Sequence, residues 1–227
     1  MEHPLDRPVW SALSGRQADV AETRGLARRY RPDIGLFAAT PDFGARALAD
    51  LADLVCTRGE TALVEPEPVS APAGVTIVSQ ATCLQMVAEA EDAGGCVERV
   101  EVATLAPSDW PEMAALAHET RPGPFFARTA VLGRFVGVRI DGRLAAMAGE
   151  RMRVAGFTEV SGVCTAPGHR GRGLAAALIR DVMAGIRARG EVPVLHTYAS
   201  NTNANRLYET LGFRTRQTVT MTLLAPP

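Results

Sequence analysis

The chain has 227 residues and a formal net charge of −1, with 47% hydrophobic and 22% charged residues. That length and composition suit one large globular domain or two small ones, each able to bury a real core. The near-balanced charge argues against a protein built mainly for nucleic acid or an anionic membrane.

In chain order, Met1–Trp10 is polar and broken by proline, so no signal peptide is expected there. Ile34–Ala39 and Thr61–Glu65 read as short strands on either side of a helix over Ala45–Cys56, whose Leu48, Leu51, Ala52 and Val55 share a face. Glu65–Gly74 carries three prolines and reads as a loop or linker. Val75–Ser79 then reads as a strand and Cys83–Ala90 as a helix, and Gly94-Gly95 punctuates the chain. We expect a smaller mixed domain over 1–95 and a second domain over 96–227.

The second part opens with a strand over Val97–Leu105 and a helix over Pro107–Glu119, stopped by the turn Arg121–Pro124. Val131–Ile140 and Leu144–Met152 are strands joined by Asp141-Gly142, a strong hairpin signal. Phe157–Thr165 is a strand that runs through a glycine-rich loop into a helix over Gly171–Arg189, striped by Leu174, Leu178, Val182 and Ile186. Val192–Tyr198 is a strand, Asn203–Leu211 a short helix and Phe213–Leu223 a closing strand. The pattern predicts an α/β fold, a mixed sheet with helices on both faces.

No run of about 18 apolar residues appears, so no membrane span is expected. Cys56, Cys83, Cys96 and Cys164 are scattered without metal-site or redox spacing, so we expect four reduced thiols, no metal and a cytoplasmic protein.

The strongest chemical signal is Thr165-Ala166-Pro167-Gly168-His169-Arg170-Gly171-Arg172-Gly173-Leu174-Ala175. A strand enters a loop that opens a helix. Gly171 and Gly173 let a ligand approach the backbone closely. The first amides of a helix lack internal partners and suit phosphate oxygens, and the helix dipole adds roughly 0.3–1 kcal/mol per favourable charge. The loop is not a P-loop, since no Gly-Lys-Ser/Thr follows. Gly171-x-Gly173-x-x-Ala176 fits a loose dinucleotide fingerprint, but the next strand ends in Ala199-Ser200-Asn201 where that fold wants an acid.

Here the sequence resembles the GNAT superfamily of acetyl-CoA-dependent acetyltransferases. Its signature Gln/Arg-x-x-Gly-x-Gly/Ala corresponds to Arg170-Gly171-Arg172-Gly173-Leu174-Ala175. A second family-like element follows at Asn201–Phe213, with Asn201, Ala204, Leu207, Tyr208, Gly212 and Phe213 in the family pattern. The similarity covers about Val97 to Leu223. The run Val160–Cys164 looks closest to the glycine N-acyltransferase-like branch, in which an N-terminal domain precedes the transferase domain. The resemblance implies splayed central strands Phe157–Thr165 and Val192–Tyr198, and a pantetheine arm pairing with the backbone near Val163 and Thr165. It implies a pyrophosphate cradle from Arg170, Gly171, Arg172, Gly173, Leu174 and Ala175, and Asn201 on the pantetheine amide.

Attack of an amine on a thioester needs a neutral amine and a proton for the leaving thiolate. The resemblance makes Tyr208 the proton donor; the helical pattern alone makes it a core aromatic. Glu159, eleven residues before Arg170, is the candidate base by the same resemblance, or else an edge carboxylate. His118, Glu119 and Arg121 lie where the family places its acceptor loop, and His196 lies on the strand facing the gap. Cys164 lacks a histidine partner at useful spacing for nucleophilic chemistry. The resemblance implies acetyl-CoA as acyl donor, a small-molecule or peptide amine as acceptor, and a monomer or homodimer. A non-catalytic CoA-binding module and an O-acyltransferase are the alternatives.

Overall fold

The computed structural model describes residues 3–88 and 100–227. The expected strand Val97–Leu105, the end of the expected helix Cys83–Ala90, and Cys96 lie wholly or partly outside them. Two sheets organise the chain. A small antiparallel sheet holds β1 (Ala21–Arg24), β2 (Ala27–Tyr30) and β3 (Ala38–Ala39). An open eight-stranded sheet holds β4 (Thr61–Glu65), β5 (Thr76–Ala88), β6 (Ala103–Thr104), β7 (Phe135–Ile140), β8 (Arg143–Val154), β9 (Phe157–Thr165), β10 (Val192–Tyr198) and β11 (Phe213–Ala225). Its spatial order is β4-β11-β5-β10-β9-β8-β7-β6. Among the described strands of this sheet only β9 and β10 run parallel; the other pairings are antiparallel.

Among the described residues five α-helices dress the sheets: α1 (Pro8–Ser14), α2 (Ala45–Arg58), α3 (Trp110–Thr120), α4 (Leu174–Ala188) and α5 (Thr202–Thr210). The stripe Leu174, Leu178, Ile179, Val182, Met183 and Ile186 buries α4 against Ala146, Ala148, Val160 and Leu195 of the sheet. Met147, between those two alanines, turns the other way and packs with Met113 and Leu116 of α3, as the two-residue alternation of a strand requires. Helix α1, which begins with Pro8 in its first turn, was not legible in the proline-broken start. Its Val9, Ala12 and Leu13 are fully buried beside Tyr30, Phe37 and Met152. The turn between β7 and β8 has Asp141 at φ 51 and Gly142 at φ 77, the pair of left-handed residues that the Asp-Gly signal predicts.

Two expectations are corrected. The described part of the expected helix, Cys83–Ala88, is strand: Thr76–Ala88 is one strand, lying between β10 and β11. Residues 85–88 are all buried. A strand covered on both faces loses its alternation and reads as a plain apolar run. The sheet, secondly, does not divide at residue 95, because β4 and β5 share the large sheet with every later strand. Only β1–β3 stand apart, tied to it by a parallel bridge between Phe37 and Ala62.

Candidate active site

The site lies where β9 and β10 part. Their ladder holds only Phe157–Val192, Thr158–Pro193 and Glu159–Val194. Beyond Glu159 the strands diverge, and β10 continues only against β5. Gly162, at φ 63, bends β9 within this stretch. A side chain there would meet the ring of Phe135 at 2.9 Å, so the bend and the packing both require glycine.

Below the gap is the loop. Helix α4 starts at Leu174, three residues later than the sequence suggests, because Gly171 (φ 75) and Gly173 (φ 74) are both left-handed. Within the loop, His169 and Arg170 donate to Ala166 and Pro167, and the next bonded amide is that of Ala177. The amides of Gly171 to Ala176 therefore have no backbone acceptor among the described residues. A Cβ built on Gly171 would meet nothing within 4 Å, so the turn is open and not plugged. The guanidinium of Arg170 is tied back to the Thr165 carbonyl at 3.3 Å, and that of Arg172 lies 3.2 Å from His169 Nδ1. Together they leave a groove of about 720 Å³ that also runs past Val163, Thr165, Leu174 and Ala175. Unpaired amides, open space and two cations are the donor set that a diphosphate needs, and acetyl-CoA fits it.

Above the gap is a smaller cavity of about 100 Å³. Its walls include Phe37, Cys83, His196, Tyr198 and Met221, and its permanently charged lining residue is Arg151. Tyr208, Val163 and Pro122 line both this cavity and the groove. Tyr208 thus stands at the junction. Its ring packs edge-on to Phe213 with centroids 6.1 Å apart, and its hydroxyl has no hydrogen-bond partner among the described residues. Burial raises its pKa, so the phenol keeps its proton near neutral pH.

Glu159 is placed differently from a base. It is 1% exposed and does not line the cavity. Arg151 Nε and one terminal nitrogen donate to its two oxygens at 2.8 and 2.7 Å, the Met152 amide lies at 3.3 Å, and His196 Nδ1 at 2.8 Å. Burial pushes its pKa up, but the Arg151 charge and these hydrogen bonds outweigh burial and hold the carboxyl well below the usual range. Glu159 thus sits behind the cavity in an ion pair with Arg151, and not on the open wall where a base for the amine was expected. Arg151 itself stacks over Phe37 at 4.7 Å. Its other terminal nitrogen has no partner among the described residues.

Other expected residues fall to either side. Asn201 caps α5 by accepting from the Ala204 amide at 3.4 Å and lines neither space; Asn203 lines the groove instead. His118, Glu119 and Arg121 do not line the cavity, whereas Pro122, Gly123 and Pro124 do, so the turn arrives as expected but presents its backbone and prolines. Cys164 is buried, and burial pushes its thiol up to about 11, which suits packing and not nucleophilic attack. Cys56 and Cys83 are also free thiols. Among the described residues no cluster of three or more His, Cys, Asp and Glu is placed to hold a metal. No described helix is long and apolar enough to cross a membrane.

A family model described as FR47-like protein matches residues 135–221. A crystal structure from Novosphingobium aromaticivorans DSM 12444, assigned there as an acetyltransferase of the GNAT family, is 51% identical, covers 100% of both chains and superposes with a TM-score of 0.91. A GCN5-related N-acetyltransferase from Kribbella flavida shares the fold at 21% identity and a TM-score of 0.62, over 91% of this chain and 89% of that one. A GCN5-related N-acetyltransferase-like protein from Streptococcus suis 89/1591 does so at 15% and 0.60, over 96% and 92%. No curated protein matches the sequence. Identity of 51% over the full length, on a splayed mixed sheet with an open loop at the start of α4, settles the kinship: the chain belongs to the GNAT family.

Proposed function

We propose that this protein moves an acetyl or other short acyl group from a CoA thioester directly onto a primary amine. The observation that carries this reading is the position of Tyr208, shared between the anion-binding groove and the small cavity. A donor at that junction reaches both the sulfur side and the acceptor side of a thioester laid through the gap. The CoA thioester supplies an activated acyl carbon; the protein supplies binding, orientation and a proton.

In this reading the amides of Gly171 to Ala176, with Arg170 and Arg172, hold the diphosphate. The unpaired edge of β9 near Val163 and Thr165 receives the pantetheine arm as an added strand. Tyr208, kept as a phenol by burial, gives its proton to the departing sulfur. The acceptor amine occupies the small cavity and releases its proton to water, since Glu159 is sealed in its ion pair. The cavity's permanently charged wall residue is a cation, Arg151, which favours an acceptor with an electron-rich oxygen at its far end. Kinship with the glycine N-acyltransferase-like branch rests on the run Val160–Cys164 and is part of the proposal.

The test is acetyl-CoA consumption over pooled amines, read by mass spectrometry. Amine-dependent release of CoA with a matching acylated product is expected. Saturable CoA binding without any acylated amine would leave a CoA-binding module, and an ester product would make the enzyme an O-acyltransferase.

A further inference from the structure

Five adjacent strands each give one polar side chain to a line that crosses the sheet: Arg216 of β11, Gln85 of β5, His196 of β10, Glu159 of β9 and Arg151 of β8. The line crosses at the last rung before β9 and β10 part. Its ends use irregularities. Arg216 is the extra residue of the bulge between Thr215 and Gln217, and Arg151 lies in the irregular stretch between Glu150 and Arg153. Beyond Arg216 the line reaches the carboxylate of Asp6, in the segment before α1.

Gln85 is the hub, and its surroundings fix which way its amide points. Arg216 has only donors, and it lies 2.9 Å from Gln85 Oε1. The Leu5 carbonyl has only acceptor capacity, and it lies 2.8 Å from Gln85 Nε2. Turning the amide over would set oxygen against oxygen and N–H against N–H. The second hydrogen of Nε2 is then directed at His196 Nε2, 3.1 Å away, which must accept it. One ring nitrogen accepting requires the imidazole proton on the other, Nδ1, where it is donated to Glu159 at 2.8 Å. Gln85 is fully buried, so no water replaces these bonds.

We propose that Gln85 is a positioning residue of the acceptor site. Its amide fixes the Nδ1-protonated tautomer of His196; His196 fixes the carboxylate of Glu159; and that carboxylate sets the guanidinium of Arg151 on the wall of the cavity. The idea rests on the reading of that cavity as the acceptor's. It gives the segment before α1 a part in acceptor binding, through Leu5 and Asp6, although neither lines the cavity.

The experiment has two readouts. Nitrogen-15 NMR on the resting protein, with His196 assigned by its loss in His196→Asn, is expected to find Nδ1 protonated and Nε2 bare. Gln85→Glu keeps the size and the bond from Arg216 but cannot donate, and is expected to move a proton to Nε2. With an amine identified as acceptor, Gln85→Glu and the apolar Gln85→Met are each expected to raise the acceptor KM by about tenfold, the scale of one hydrogen bond lost from ground-state binding. The KM for acetyl-CoA is expected to stay within about twofold. Circular dichroism and thermal melting identify a variant that has failed to fold, and the wild-type tautomer decides the matter without any variant. A proton on Nε2 in the wild type, or folded variants with an unchanged acceptor KM, overturns the proposal alone. Failure of the wild type to acylate any amine overturns the acyl-transfer reading, and this proposal with it.

Discussion

Arg151 and Glu159 close a two-pronged ion pair across the β8–β9 hairpin, at 2.7 and 2.8 Å, with the carboxylate 1% exposed and the guanidinium side chain 11% exposed. A pair this buried is costly to break from one side, because the surviving charge has no compensation. Glu159→Gln should lower unfolding stability by about 3–5 kcal/mol. The dependence on pH has a definite sign. The folded carboxyl lies below its ordinary value of 4.5. Its contribution is therefore complete above about that pH and drains away as the pH falls beneath it. Urea unfolding across the acid range should show a shallower decline for Glu159→Gln than for the wild type. Equal slopes would mean that the pair does not stabilise the fold.

Removing the hydroxyl of Tyr208 isolates its chemistry from its packing. The ring contact with Phe213 survives in Tyr208→Phe, so the fold and CoA affinity should be preserved. Turnover should fall by about 10²-fold, the usual scale of acid–base catalysis. Single-turnover rates with saturating acetyl-CoA are the measurement; unchanged turnover removes Tyr208 from the mechanism.

Gly173 occupies the cap position of α4 at φ 74. Gly173→Glu places a carboxylate among the phosphates and forces a left-handed conformation that costs a side-chain-bearing residue about 1–2 kcal/mol. Isothermal calorimetry should detect no CoA binding, while the thermal midpoint shifts only modestly. Normal binding would put the diphosphate somewhere else.

The described thiols, Cys56, Cys83 and Cys164, should react in a fixed order. Cys56 is exposed, whereas burial pushes both Cys83 and Cys164 up to about 11. Limited alkylation followed by peptide mapping should label Cys56 well before the other two. Cys164→Ala should retain turnover within about threefold, as a residue that packs and does not react. Loss of activity there would reopen covalent catalysis.

What was legible in the sequence was local. The strand Phe157–Thr165, the strand Val192–Tyr198 and the Asp141-Gly142 turn all fell where composition put them, because each is decided by residues within one element. The glycine-rich turn at Gly171 and Gly173 was legible for the same reason. Glu159 was visible as a carboxylate, but its partners were not: Arg151 reaches it across an irregular hairpin and His196 across the sheet. Neither spacing is a feature of any linear pattern. Asn201 read as a ligand residue because the motif fixes its place in the chain, while the helix cap fixes where its side chain goes. Gln85 and Arg216 carried no signal at all, and Gln85 sat in a stretch whose apolar run looked helical.

The place of β5 has a consequence for how the molecule is made. Its two neighbours in the sheet, β10 and β11, come far later in the sequence than β5 itself. On the ribosome, Thr76–Ala88 therefore emerges well before the two strands that pair with it, and its place in the sheet fills only after Val192–Tyr198 and Phe213–Ala225 have followed. Such distant pairing makes assembly slow and leaves an apolar strand edge open meanwhile. Nascent chains stalled before Phe213 should be chaperone clients, and the protein should refold in a single late step that seals the centre of the sheet.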